Sequence, residues 1–248
     1  MRVIGVIPAR YKSSRLEGKP LADILGKPMI QHVYERARLA RNLDDVMVAT
    51  DHEGIRRAVV EFGGKAVMTS AERRSGTDRV AEAIASDRAD VVVNIQGDEP
   101  MLDPLMLEEV VAPFRRGTSV GLVTLKKEVF RDDDFADPGV VKVVTDSNGM
   151  ALYFSRSLIP YPRNRTRHFR VFEHLGVYAY TRECLLNLAA LPVSPLEEVE
   201  SLEQLRALEN GIPILVVETK SSTQSISVDT QADLERVREA LRGQALTT

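Results

Sequence analysis

The stretch Val3-Ile4-Gly5-Val6-Ile7, running directly into Pro8-Ala9-Arg10-Tyr11-Lys12-Ser13-Ser14-Arg15-Leu16-Glu17-Gly18-Lys19-Pro20, sets the reading of the fold. A short run of Val and Ile reads as a strand buried on both faces, the kind that parallel sheets use. Similar runs recur at residues 46–50, 91–95 and 120–125. Between them, 30–39, 53–62, 78–85 and 104–114 carry apolar residues at helical spacing. Strands and helices alternating over such short connections predict a mostly parallel α/β sheet with helices on both faces. Past residue 125 the pattern changes. Residues 140–145 and 151–154, joined by the turn-rich Asp146-Ser147-Asn148-Gly149, predict a hairpin. Further strands are predicted at 175–180 and 214–217, and helices at 196–209 and 232–241. The predicted organisation is a single α/β domain over 1–248 with an inserted β-rich lobe at about 126–174.

Composition narrows the function classes. A chain of 248 residues can bury a substantial core, and 44% hydrophobic with 28% charged residues argues against a disordered or fibrous chain. Lys and Arg number 33 against 36 Asp and Glu, a formal charge of −3 that argues against a general nucleic-acid binder. One cysteine, Cys184, excludes a disulfide framework and a multi-Cys zinc site. It opens a predicted apolar helix with Leu185, Leu186 and Leu188 and reads as a buried thiol. No apolar run approaches the roughly 18 residues of a membrane span. The apolar start is too short for a signal-peptide core, so a cytoplasmic protein without membrane insertion is expected.

Ligands of open parallel sheets bind beyond the carboxyl ends of the strands, so the segments leaving those ends carry the functional reading. After the first strand, Arg10, Lys12, Arg15 and Lys19 crowd a loop of small and hydroxyl residues. Several cations plus close backbone N–H donors are what a triphosphate needs; a solvated basic loop is the plainer reading. The motif is neither a P-loop nor a dinucleotide fingerprint, because Gly18-Lys19 is followed by Pro20 and no G-x-G-x-x-G follows the strand. The run 91–95 leads into Gln96-Gly97-Asp98-Glu99-Pro100, paired acids at a strand exit with Gly97 easing the turn. They suit Mg²⁺, which takes one or two carboxylates plus phosphate oxygens. The alternative, a helix cap, fits Asp103 before Pro104 better than Asp98. Asp229 is a second metal candidate, although Thr230 and Asp233 ahead of an apolar-periodic helix make capping the reading that the pattern alone favours.

Other segments are weaker. Ser75-Gly76-Thr77-Asp78-Arg79 either caps the following helix or holds a ligand, and the polar residues of 202–206 read as a solvated helix face. The four arginines of 162–170 read as a solvated loop or a lid over an anion, and Asp132-Asp133-Asp134 as a solvated turn. Serine-hydrolase and zinc-protease chemistries fit poorly, since the sequence has no G-x-S-x-G and no H-E-x-x-H.

These segments, taken in order, resemble the CMP-Kdo synthetases, the 3-deoxy-manno-octulosonate cytidylyltransferases. The matching blocks are Ile7-Pro8-Ala9-Arg10-Tyr11 with Ser14-Arg15-Leu16 and Gly18-Lys19-Pro20, Gly26-Lys27-Pro28-Met29-Ile30, Val48-Ala49-Thr50-Asp51, Ser75-Gly76-Thr77-Asp78-Arg79 and Gln96-Gly97-Asp98-Glu99-Pro100. Ala151-Leu152-Tyr153-Phe154-Ser155-Arg156, His174-Leu175-Gly176-Val177-Tyr178, Leu202-Glu203-Gln204-Leu205-Arg206 and Val228-Asp229-Thr230 complete the set. The resemblance spans nearly the whole chain. It departs at Glu17, where the family usually has proline, and at Ser227, where glycine is usual.

The resemblance implies a Rossmann-like nucleotidyltransferase fold and transfer of a cytidylyl group from CTP to Kdo with Mg²⁺ as cofactor. It implies that Arg10, Lys19, Asp98 and Asp229 are catalytic, and that Pro8, Ala9, Arg10, Ser14, Arg15, Lys19, Ser75, Gly76, Thr77 and Asp98 bind nucleotide. Gln96, Arg156, His174, Tyr178, Glu203 and Gln204 would line the sugar-acid pocket, and Asp98 and Asp229 would hold the metal. A homodimer, formed through the lobe, and a role in lipopolysaccharide synthesis are also implied. A relative acting on the 8-amino analogue of Kdo, and a silent nucleotide-binding regulator on the same fold, are the competing expectations.

Overall fold

The computed structural model describes residues 1–12, 16–73, 75–164, 169–223 and 226–245. In chain order the elements are β1 (Val3–Ala9), β2 (Asp23–Ile24), β3 (Lys27–Pro28), α1 (Met29–Arg38), β4 (Asp45–Thr50), α2 (Glu53–Glu61), β5 (Ala66–Met68), α3 (Gly76–Ala83), β6 (Val91–Asn94) and α4 (Pro104–Arg115). They continue with β7 (Leu122–Val129), α5 (Asp132–Ala136), β8 (Lys142–Thr145), β9 (Ala151–Ser155), β10 (Val171–Thr181), α6 (Arg182–Ala190), α7 (Pro195–Glu200), α8 (Gln204–Glu209), β11 (Ile214–Glu218) and α9 (Gln231–Ala245). The chain forms two compact units, 1–108 with 221–248, and 109–220; the lobe expected at about 126–174 falls inside the second.

In the first unit β6, β1, β4 and β5 lie side by side, all parallel. Val3, Ile4, Val6, Ile7, Val46, Val48, Val92 and Val93 are fully buried, which is why these strands read as unbroken apolar runs. α1 buries Met29, Ile30, Val33, Tyr34 and Ala37, one stripe at helical spacing. α4 begins as expected: Asp103 Oδ1 accepts from the Leu105 N–H at 3.0 Å, making Asp103 its cap. Ser221 and Thr223 also donate to Asp103 Oδ2, tying the returning chain to the same helix start.

The second unit is mixed. β11 runs parallel to β7, β7 antiparallel to β10, and β8 pairs antiparallel with both β10 and β9, the last pair being the expected hairpin. Three expectations change here. β7 continues to Val129 through Lys126, Lys127 and Glu128, charged residues that an apolar run does not signal. They are held by side-chain partners: Lys126 Nζ lies 4.3 Å from the Phe172 ring centroid and 2.9 Å from Thr145 Oγ1. Asp132-Asp133-Asp134 is the first turn of α5 rather than a turn, and it places three carboxylates at the positive end of the helix dipole. The helix expected over 196–209 is two helices, broken at Ser201, whose φ of 51° is left-handed.

Glu197 and Arg206 explain that break. Arg206 Nε and Nη2 donate to the two Glu197 carboxylate oxygens at 2.8 and 2.5 Å, and both residues are buried. Nine residues of continuous α-helix would separate them by roughly 13 Å along the axis, so the pair forms only because α8 turns back on α7. Of the polar residues that read as a solvated face, Gln204 and Arg206 are therefore buried, each 5% exposed, while Glu203 is exposed.

Candidate active site

The candidate site residues of the first unit gather beyond the carboxyl ends of β1 and β6. β1 ends with Pro8 and Ala9, in register with Ala49 and Thr50 of β4, and the chain leaves it at the exposed Arg10. Ser14 and Arg15 lie outside the described residues, as do residues 165–168 of the arginine-rich run. The loop is fixed where it is described. The Gly18 N–H donates to Tyr11 O at 3.1 Å, and Gly18 has φ 67°, a conformation glycine adopts without steric penalty. Tyr11 stacks on His52 with ring centroids 4.0 Å apart and planes at 19°.

Lys19 then points into the site. Its Nζ donates to Asp98 Oδ2 at 2.7 Å and to Asp229 Oδ1 at 3.2 Å. These carboxylates come from distant parts of the sequence, and two features bring them together. The Val228 N–H donates to Asp98 O at 2.9 Å. Val228 itself is buried with Ile24, Met29, Met101, Leu234 and Val237, so the start of α9 is anchored in the core. At formal charges two carboxylates and one ammonium leave a negative excess, which attracts a further cation. Among the described residues no group of three or more His, Cys, Asp or Glu side chains forms a metal cluster. Two carboxylates beside a basic loop are nonetheless the donor set of Mg²⁺, which completes its shell with water and phosphate oxygens.

The cap at the start of α9 is made by the neighbours of Asp229. Thr230 Oγ1 accepts from the Asp233 N–H at 3.2 Å, while Asp233 Oδ2 accepts from the N–H groups of Thr230 and Asp229 at 2.8 and 3.1 Å. This reciprocal cap is complete without the Asp229 carboxylate, which goes to Lys19. Gly97 also acquires a reason beyond an easy turn: a Cβ there would lie 2.8 Å from Pro8 O, so glycine alone lets the exit of β6 pass the end of β1. Gly97→Ala is expected to lower stability by about 1–3 kcal/mol, read as a fall in Tm, because the obstructing atom is backbone.

Ser75 caps α3, its Oγ accepting from the Asp78 N–H at 3.1 Å. Gly76 adjoins Pro8, with a Cβ there 3.5 Å from Pro8 Cγ, and Thr77 is buried. Buried Arg79 holds this helix start in place through Asp51 at 2.9 Å and Thr69 at 2.5 Å. Gln96 is half-buried at the exit of β6.

The other sugar-pocket candidates belong to the second unit. His174 is buried, edge-on to Phe154 at 4.9 Å and 5.3 Å from the Tyr178 ring, and burial pushes its pKa down to about 3. The Tyr178 hydroxyl donates to Gln204 Oε1 at 3.1 Å, and burial holds this phenol well above its ordinary pKa. Gln204 Nε2 is buried without a partner among the described residues, a donor available to a ligand acceptor. Glu203 is exposed at the start of α8. Arg156 gives Nε to Glu200 O at 2.7 Å, Nη1 to Pro138 O at 2.8 Å and Nη2 to Ser201 O at 3.3 Å, which keeps one further N–H on each Nη for a carboxylate.

Three participants escaped the sequence reading. The Tyr11–His52 stack was signalled only by the position of His52 just after a strand end. Glu200 fixes Ser155 and Arg156 through its carboxylate at 2.7 and 3.0 Å. Thr124 touches His174 at 3.0 Å because of a bulge in β10 that no pattern announces.

Comparison with known proteins adds the family. The cytidylyltransferase family model matches residues 4–240. The 3-deoxy-manno-octulosonate cytidylyltransferase of Solibacter usitatus is 49% identical over 99% of this chain and 96% of its own. That of Syntrophotalea carbinolica is 50% identical over 98% of this chain and all of its own. Among solved structures, a CMP:2-keto-3-deoxy-manno-octonic acid synthetase complexed with CTP superposes with a TM-score of 0.93 at 46% identity, covering 98% of this chain and 100% of that one. A cytidylyltransferase from Leptospira borgpetersenii, at 17% identity and a TM-score of 0.63 over 98% of this chain and 87% of its own, shares the fold. With the basic loop, the paired carboxylates and these matches over the full length, the chain belongs to the 3-deoxy-manno-octulosonate cytidylyltransferase family.

Proposed function

We propose that this chain transfers the cytidylyl group of CTP to the anomeric hydroxyl of Kdo and releases pyrophosphate, with Mg²⁺ as its metal. The observation that carries this reading is Lys19 Nζ held between the carboxylates of Asp98 and Asp229 at the mouth of a basic loop. The sugar oxygen bonds to the α-phosphorus as the bond to the bridging oxygen of pyrophosphate breaks, and the hydroxyl proton passes to solvent. Both substrates are anions, so neutralisation and alignment are what the protein must supply.

Asp98 and Asp229 would hold Mg²⁺, which would supply Lewis-acid neutralisation of phosphate charge and make the attacking hydroxyl more acidic. Arg10 and Lys19 bind the triphosphate and stabilise the charge that develops on pyrophosphate, together with Ser14 and Arg15 of the same loop. Pro8, Ala9, Ser75, Gly76 and Thr77 bind the nucleoside portion. On the sugar-acid side, Arg156 offers its remaining N–H groups to the carboxylate, and Gln96, His174, Tyr178, Glu203 and Gln204 read hydroxyls. The product serves lipopolysaccharide synthesis in the cytoplasm, and the enzyme is a homodimer formed through the lobe near 126–174. No helix among the described residues is long and apolar enough to cross a membrane.

The test is pyrophosphate release from CTP across a panel of sugar acids, with and without Mg²⁺. Release that requires both Kdo and Mg²⁺ is the expected outcome. Turnover with the 8-amino analogue but not with Kdo would move the substrate assignment, and CTP binding without turnover on any sugar acid would point to a regulatory protein.

A further inference from the structure

Thr124 is fully buried on β7, opposite an irregularity in β10. Leu175 of β10 faces Leu125 and Tyr178 faces Thr124, so Gly176 and Val177 are extra residues on that strand. Bulges of this kind re-aim groups beside functional sites. Here the bulge directs two backbone carbonyls at one hydroxyl. Thr124 Oγ1 lies 2.8 Å from Val177 O and 3.2 Å from Leu175 O, and His174 Nε2 approaches the same oxygen at 3.0 Å.

Proton counting decides what His174 must be. A threonine hydroxyl has one hydrogen, and a carbonyl oxygen can only accept. The hydrogen therefore goes to the carbonyls, and the Thr124 oxygen is left to accept. Its remaining neighbour, His174 Nε2, must donate. The opposite tautomer would turn the hydroxyl hydrogen towards Nε2 and leave two carbonyls facing oxygen lone pairs in a dry interior, which is costly.

We infer that Thr124 is a positioning residue that fixes His174 as its Nε2–H tautomer, so that Nδ1 presents a lone pair to a hydroxyl of the sugar acid. Burial supports this by pushing the His174 pKa down to about 3, which keeps the ring neutral near pH 7. An acceptor nitrogen repels a carboxylate and takes a hydroxyl, so His174 reads the polyol part of the substrate and leaves the acid group to other residues. The Phe154 and Tyr178 rings pack against the imidazole, with centroids 4.9 and 5.3 Å away. The identity of the hydroxyl donor rests on the proposed function; the tautomer does not.

Two measurements test it together. In protein labelled with ¹⁵N-histidine, long-range proton–nitrogen correlation identifies the protonated nitrogen of each of the four imidazoles, with His174→Gln assigning the relevant one. His174 is expected to carry its proton on Nε2 from pH 5 to pH 8. Thr124→Val keeps the shape and removes the hydroxyl. It is expected to release the tautomer and raise KM for Kdo about tenfold, the effect of losing one oriented hydrogen bond, with KM for CTP unchanged. Thr124→Ser is expected to restore both readouts. A wild-type proton on Nδ1, or a Thr124→Val enzyme with unchanged tautomer and unchanged KM for Kdo, would overturn the inference. So would equal losses toward CTP and Kdo, because they would mean a general packing defect. Failure of the wild-type chain to use Kdo refutes the activity reading instead, and the nitrogen spectrum still decides what Thr124 does to His174.

Discussion

Asp98→Asn and Asp229→Asn are each expected to lower kcat by about 10²-fold or more, with the folded state intact. The substitution preserves size and hydrogen-bonding atoms but removes one of the two negative charges that meet at Lys19 Nζ. A carboxamide is a poor ligand for Mg²⁺ compared with a carboxylate, so the loss falls on the charge that the transferring phosphoryl group needs neutralised. Thr230→Ala provides the contrast. It removes the side chain that caps α9 one residue away, so it is expected to lower stability by about 1 kcal/mol and leave kcat unchanged. Thermal melts and steady-state kinetics on the three variants separate the two roles. If Asp229→Asn behaved like Thr230→Ala, losing Tm but not rate, the assignment of Asp229 to the reaction would be wrong.

The largest effect on stability is expected at Glu197. Its carboxylate and the Arg206 guanidinium form a bidentate pair in the interior of the second unit, at 7% and 5% exposure. Glu197→Ala strands the Arg206 charge where water cannot reach it, a defect that typically costs about 3–5 kcal/mol. The same carboxylate closes the capping box of α7 by accepting from the Ser194 N–H at 3.1 Å, so the helix start is weakened as well. Urea unfolding should show a lower midpoint at unchanged slope. Because Gln204 lies on α8 beside Arg206, the variant is also expected to lose affinity for the sugar acid before affinity for CTP.

The first unit was legible because its strands are buried on both faces and its helices on one. Residues such as Val91, Val92 and Val93 announce a central strand without any knowledge of partners. The basic loop and the acids at 98–99 were equally visible, since position at a strand exit carries meaning in this fold class. What patterns could not show was pairing at a distance. Asp229 and Thr230 are adjacent, and only the backbone bond from Val228 to Asp98 and the Thr230–Asp233 cap set the carboxylate that meets Lys19 apart from the residues that cap the helix. The break at Ser201 follows from a buried ion pair nine residues long, and the β10 bulge from a register that depends on β7. In each case local preference was overridden by a contact made elsewhere in the fold.

The most direct test of the central claim follows phosphorus. With CTP, Kdo and Mg²⁺ present, ³¹P NMR is expected to show the CTP α-phosphate converting to a CMP–sugar phosphodiester with an equal amount of pyrophosphate, and conversion slower by about 10²-fold or more with Asp98→Asn. Unchanged CTP signals, or pyrophosphate and free CMP without a sugar ester, would contradict it.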